Sequence, residues 1–174
     1  MLSGPHGDPL HSSVLTLEEA ILRFGRRNRN GRRIVFTNGC FDLLHLGHLG
    51  CLEAGRKFGD VLIVGINSDA SIRQLKGEGR PVVPENERAE ILSALEYVDA
   101  VVIFDDLTPL RIISELMPDV LFKGGDWSKD QIIGGREVEA AGGQVEVVPF
   151  VPGYSTTNLL RKIREGTPAS RAES

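Results

Sequence analysis

Only two cysteines, one tryptophan and 6% aromatic residues occur among the 174 residues. Cys40 and Cys51 form neither a C-x-x-C pair nor a zinc spacing. They read as reduced thiols of a cytoplasmic protein. No run approaches the ~18 apolar residues of a membrane span, which leaves no membrane partner in view. Met1 to Ser13 has no charged segment leading into an apolar core, so it does not read as a secretory signal. Basic charge is not in excess either: 20 Lys and Arg against 24 Asp and Glu give a net charge of −4. That balance carries no general polyanion signature and predicts no nucleic-acid partner.

What is present is an ordinary globular chain of 41% hydrophobic residues, long enough for one sizeable core, with 20 glycines that often fall where an apolar run ends. Residues 1–13 and 166–174 read as flexible tails around a single domain over 14–165. Thr16-x-x-Glu19 is a capping box that opens a helix to about Arg26. Arg26 to Arg33 is a basic stretch, either a solvated turn or an outer wall for an anionic substrate. Arg33 to Phe36 reads as a strand and Leu49 to Phe58 as a helix.

Val61 to Ile66 is continuously apolar, the pattern of a parallel strand covered on both faces. Further strands fall at Asp99–Phe104, Val120–Phe122 and Gln144–Val148. Helices are expected over about Asp69–Leu75, Glu85–Leu95, Thr108–Met117, from Ser128 to about Ala141, and from Ser155 to about Arg164. Five strands alternating with helices predict an α/β fold, a Rossmann-like doubly wound five-stranded parallel sheet.

The rest of the chain is organised around Thr37-Asn38-Gly39-Cys40-Phe41-Asp42-Leu43-Leu44-His45-Leu46-Gly47-His48. It links the first strand of that alternation to its helix. A helix start offers free N–H groups and a positive dipole end, which suits phosphate. His45 and His48 are three apart, so both imidazoles fall on one face of a helical turn. Gly47 leaves the backbone open between them. By itself the pair admits other uses, as surface imidazoles or metal ligands, but no Cys, Asp or Glu stands beside it at ligand spacing. No protein metal ligand is therefore assigned.

Other polar groups follow strand ends, where an open α/β sheet binds its ligands. They are Asn67, then Lys76 in a Gly-flanked loop with Arg80, and then Lys123 with Gly125 and Asp126. Arg88 stands in a first helical turn, where a cation opposes the dipole; it reads as a surface arginine or as a site residue. Ser155, Thr156 and Thr157 put three hydroxyls at a helix start, where one suffices for a cap. The others suit a phosphate cradle.

With these motifs in place the chain resembles the HxGH nucleotidyltransferase superfamily over about Thr16 to Glu165. Its anchors are Gly39-Cys40-Phe41-Asp42 with His45-Leu46-Gly47-His48, Lys76, and Ser155-Thr156-Thr157 with Arg161 following. Within it, the chain is most similar to the D-glycero-β-D-manno-heptose 1-phosphate adenylyltransferases. That likeness rests on Leu75 to Glu78, Arg80 to Val82, Ala94 to Glu96 with Val98-Asp99, Lys123 to Asp126, and Ser155 to Asn158. Glycerol-phosphate cytidylyltransferases carry an arginine shortly before the Ser-Thr-Thr turn, where this chain has Phe150.

The resemblance implies ATP as co-substrate, phosphate-bound Mg²⁺ and heptose 1-phosphate as acceptor. It implies His45, His48 and Lys76 as catalytic groups. Thr37 to Phe41, Gly47, Lys123, Gly125, Asp126 and Ser155 to Thr157 would hold the nucleotide, and Asp42, Asn67, Arg80 and Arg88 the acceptor. Many relatives fuse this domain to a sugar kinase, for which 174 residues are too few, so a separate heptose kinase is expected. A homodimer is expected by the same likeness. Two other readings compete: a nucleotidyltransferase using CTP or another phosphorylated acceptor, and a non-catalytic nucleotide-binding module. A class I aminoacyl-tRNA synthetase fragment would share H-x-G-H, but no KMSKS-like loop follows here.

Overall fold

The computed structural model describes residues 13–149 and 153–165. Six parallel strands make one sheet in the order β1-β4-β3-β2-β5-β6. They are β1 Val14–Leu15, β2 Ile34–Gly39, β3 Val61–Asn67, β4 Ala100–Phe104, β5 Val120–Gly124 and β6 Gln144–Val148. The strand missing from the five-stranded expectation is β1, which adds a sixth. It pairs Val14 with Val101 and Leu15 with Val102 at the sheet edge. Two residues are too short to show any periodicity, so only the neighbouring strand defines it.

The helices are α1 Leu17–Phe24, α2 Leu46–Arg56, α3 Asp69–Lys76, α4 Glu85–Ser93, α5 Leu110–Leu116, α6 Gly135–Ala140 and α7 Thr156–Glu165. The Thr16 capping box forms as expected, with Glu19 N–H on Thr16 Oγ1 and Thr16 N–H on the Glu19 carboxylate. Ser128 and Gln131 form one too, yet it starts only a 3₁₀ turn over Lys129–Gln131. The α-helix expected there is delayed to Gly135, because Gly134 takes a left-handed φ of +85°.

Side chains alternate across the strands, so the sheet is covered twice. Ile34, Phe36, Val61 and Ile63 face a core completed by α1, α5 and α6, with Phe24, Ile113 and Val138 among its members. Val35, Leu62, Val64 and Ile66 face the other, with Leu52 of α2 and Leu92 of α4. The doubly wound arrangement follows from this two-sided burial.

Helix α2 approaches the sheet closely because Gly55 lies over Phe122. A Cβ at Gly55 would clash with the tip of the Phe122 ring. Gly55→Ala is therefore expected to destabilise the fold by about 1–3 kcal/mol through overpacking. Urea unfolding monitored by circular dichroism measures this; an unchanged midpoint would mean that α2 shifts freely.

The basic stretch is a largely exposed turn, as the first of its two readings has it, and not a wall for substrate. It precedes β2, whose six residues put it roughly 20 Å from that strand's C-terminal end. Its arginines bind carbonyls left open at helix C-termini. Arg29 donates to Met117 O after α5 at 2.7 Å, Arg26 to Ala141 O after α6 at 2.9 Å, and Arg32 to Arg23 O in the last turn of α1 at 3.2 Å. Cations there also complement the helix dipoles. Arg29 is fixed further by Asp119 at 2.6 Å.

Candidate active site

The sheet reverses its winding between β2 and β5. From β2 the chain proceeds to β3 on one side, and from β5 to β6 on the other. The two central strands pair only at Val35–Val120 and Phe36–Leu121 and then part. Across the gap Thr37 Oγ1 donates to Phe122 O at 2.9 Å, and Lys123 Nζ donates to Asn38 O at 2.7 Å. A cavity of about 480 Å³ opens above these bridges. This is the crevice at strand C-termini where such sheets bind ligands.

Thr37, Asn38 and Gly39, read from sequence as part of the turn, are the last three residues of β2. Helix α2 begins at Leu46, three residues before the expected start. His45 is its N-cap, with an extended backbone at φ −146°, and His48 lies in its first turn. The two rings nevertheless stack, with centroids 3.9 Å apart and planes 21° from parallel. Both line the cavity, with Gly47 between them. The Nδ1 atoms of both are buried without a hydrogen-bond partner, which leaves Nε2 as the nitrogen open to a ligand.

Burial, with the neighbouring positive forms of His45 and Lys76, holds His48 down at about 4. Burial lowers His45 as well, against a small opposing pull from its own backbone. His48 is therefore neutral at pH 7 before nucleotide binds. The unfolded chain binds this proton more readily than the folded one, so His48 costs stability as pH falls from about 6.5 to about 4. His48→Gln is expected to flatten the fall of Tm across that window. Equal slopes in the variant and the parent would show that other groups govern it.

Burial lowers the Lys123 ammonium to about 8, with Cys40 and Cys51 acting the other way. Burial raises the Cys51 thiol to about 11, against the pull of Lys123. Cys51 stays protonated and contributes packing rather than reactivity. Neither cysteine is in a disulfide.

At the far wall, Ser155 Oγ accepts the Asn158 N–H at 3.1 Å at the start of α7. Ser155 and Thr156 line the cavity, whereas Thr157 does not. Cys40 and Phe41 also line it; Gly125 and Asp126 do not. Gly125 is buried, its N–H donated to Val148 O at 2.9 Å, and Asp126 is exposed. Phe150 lies outside the described residues.

None of the four residues expected on the acceptor lines the cavity, and each has partners within the protein. Asp42 Oδ1 accepts the Val82 and Val83 N–H groups at 2.8 and 2.9 Å, and Oδ2 lies 2.6 Å from Arg80 Nε. They tie the far end of the Gly77–Pro84 loop to the segment that carries the histidines. Asn67 Nδ2 donates to Ser71 Oγ at 3.0 Å. Arg88 is no surface arginine: it is 1% exposed. It donates to Val83 O, Cys40 O, Asn67 O and the Asp69 carboxylate at 2.6–2.9 Å. Its place in a first helical turn hid this, because its partners come from three other segments. Lys76 ends α3, exposed, and does not line the cavity. It is still close enough for its charge to lower His48.

Sequence reasoning missed Cys51, Gly124, Trp127, Gly153 and Tyr154, all on the cavity wall. Cys51 follows His48 by three residues on the same helix, a spacing that could have placed it. Trp127 and Tyr154 each follow a strand closely and precede a polar helix start.

A family model described as Cytidylyltransferase-like matches residues 36–162. A protein named "Bifunctional protein HldE" from Geotalea uraniireducens is 59% identical over 137 residues, 79% of this chain and 28% of that protein. One of the same name from Koribacter versatilis is 54% identical over 151 residues, 87% of this chain and 31% of that protein. The chain thus spans about three tenths of the length of these relatives. The crystal structure of the lipopolysaccharide core biosynthesis protein from Thermoplasma volcanium superposes with a TM-score of 0.57 at 27% identity. That match covers 70% of this chain and 98% of the other. A pantoate-beta-alanine ligase from Francisella tularensis, at 13% identity and a TM-score of 0.56, covers 87% and 77% and shares the fold.

Proposed function

The chain belongs to the cytidylyltransferase-like family, and from that premise we propose that it transfers AMP from ATP to D-glycero-β-D-manno-heptose 1-phosphate, releasing pyrophosphate. The observation that carries the reaction class is the stacked imidazole pair at the sheet's switch point, facing the hydroxyl-lined start of α7. The heptose acceptor is supported by the sequence resemblance, the identity to HldE proteins and the likeness to a lipopolysaccharide core biosynthesis protein.

A sugar-phosphate oxygen attacks the α-phosphorus in line. One P–O bond forms, the α–β bridging P–O bond breaks, and pyrophosphate takes the electron pair. The nucleophile is already anionic, so no strong base is needed. The protein's task is to bring polyanions together and stabilise charge on the α- and β-phosphates. His45 and His48 donate from Nε2. An arriving triphosphate opposes the desolvation of His48 and favours its charged form. Ser155, Thr156 and the N–H groups opening α7 take the β- and γ-phosphates. Lys76 comes in from the C-terminal end of α3, where the loop begins whose far end Asp42 holds. Lys123 and the end of β2 line the nucleoside side. Arg88, with four of its five N–H donors used internally, supports the acceptor side by fixing Cys40 and Val83 rather than by touching phosphate.

Among the described residues, no carboxylate lines the cavity. The inward-facing groups are imidazoles, an ammonium, hydroxyls and backbone amides, which suit phosphate oxygens better than a hard cation. Mg²⁺ accordingly enters with the triphosphate, as part of the substrate. The relatives' names call them bifunctional, and we place a sugar kinase as the reaction that supplies the acceptor.

The test is pyrophosphate release with Mg²⁺ and heptose 1-phosphate, comparing ATP, CTP, GTP and UTP. Release with ATP alone is expected. Release with CTP would overturn the base assignment. Turnover only with another acceptor, such as glycerol 3-phosphate, would remove the heptose.

A further inference from the structure

Four rings form one column along the cavity wall. Tyr154 lies beside His45 with centroids 6.5 Å apart at 25°, His45 beside His48 at 3.9 Å, and His48 against Phe41 at 5.2 Å and 47°. The column joins the segment before α7, the start of α2 and the turn after β2. A working imidazole is usually oriented by a hydrogen bond to its second nitrogen. Here both Nδ1 atoms are buried without one. The imidazole torsion is intrinsically broad, so contact with the ring faces is left to fix it.

The two ends of the column differ. Phe41 is the fixed end. Its side chain belongs to the core on the α2 face, and its φ of +46° is a left-handed conformation that non-glycine residues adopt at a cost. Tyr154 is the open end, 41% exposed. Gly47 makes its approach possible: a Cβ there would stand 3.0 Å from the His45 ring and 3.1 Å from Tyr154 Cβ.

We propose that Tyr154 is a positioning residue that closes the ring stack against Phe41 and holds His45 and His48 with their Nε2 atoms toward the transferring phosphoryl group. This rests on the nucleotidyltransferase reading above. The ring face carries the role and the hydroxyl does not, so phenylalanine can replace it and alanine cannot. A tyrosine that bound nucleotide directly would instead act on affinity.

Tyr154→Phe and Tyr154→Ala separate these roles, read in two ways. In steady-state pyrophosphate release, Tyr154→Phe is expected to stay within about two-fold of the parent. In Tyr154→Ala kcat is expected to fall about ten-fold, the upper end for one aromatic pair, with KM for ATP within about two-fold. In NMR titrations of the nucleotide-free protein, the His45 imidazole is expected to titrate nearer its ordinary value in Tyr154→Ala, because its face regains water. Tyr154→Phe should titrate like the parent. A raised KM with kcat intact, an equal loss in the phenylalanine variant, or an unmoved His45 titration would each overturn the proposal. If the parent releases no pyrophosphate from any nucleotide, the functional reading falls, and the titrations still decide the stack.

Discussion

Replacing His48 with alanine lowers kcat by about 10²–10³ while the protein stays folded, the loss that follows removal of one donor to developing charge. The size follows from the site. His48 is neutral before nucleotide binds, so it enters the reaction as a neutral N–H donor. In the transition state the same N–H faces phosphoryl oxygens gaining charge, with much of the surrounding water excluded. An interaction stronger in the transition state than in the ground state appears in kcat. Steady-state kinetics, with circular dichroism to verify folding, measures this. A His48→Ala variant with full Mg²⁺-dependent activity would remove the imidazole pair from the mechanism. His48→Gln restores a donor without the ring and should recover only part of the loss, since the stack with His45 and Phe41 is gone.

Replacing Arg88 with methionine produces the largest expected loss of stability. Four N–H donations disappear together, and the carbonyls of Cys40, Asn67 and Val83 and the Asp69 carboxylate lose their partner. Removing one member of a buried ion pair costs about 3–5 kcal/mol. Asp69 keeps some solvent access, with its side chain 24% exposed, so about 3 kcal/mol is the appropriate figure. At about 2–4 °C per kcal/mol for a chain of this size, Tm falls by about 6–12 °C. Arg88→Lys keeps the charge but not the planar fork, and should recover little. Thermal melts of both variants decide the matter. An unchanged Tm in Arg88→Met would mean that water replaces the guanidinium without penalty. Because Arg88 holds Cys40 and Val83, activity should also fall below the new melting point.

The fold class was legible in the sequence because it depends on local signals. The continuously apolar run Val61 to Ile66 points to a parallel strand covered on both faces, as found. β6 has the bounds expected for it, Gln144–Val148, and the Thr16 box defined the start of α1. The number of strands was not legible, since Val14 and Leu15 become a strand only beside Val101 and Val102. Nor was the interruption before α6, where backbone conformation at Gly134 overrides a sound capping box.

The candidate site divides in the same way. His45, Gly47, His48 and the Ser-Thr pair were named from sequence because their chemistry is carried by contiguous residues whose spacing encodes their geometry. The work of Asp42, Arg80 and Arg88 was not, because all but one of their partners lie 19 to 48 residues away. A charged residue looks the same in sequence whether it faces a substrate or holds a loop. The ring column belongs to the same class. Phe41, His45, His48 and Tyr154 come from segments that meet only when β2 and β5 part. Sequence by itself determined which chemical groups this protein has and that they sit on a parallel, doubly covered α/β sheet. Tertiary structure alone decided which of those groups face the cavity and which hold it open, because burial and long-range pairing arise only once the chain has folded.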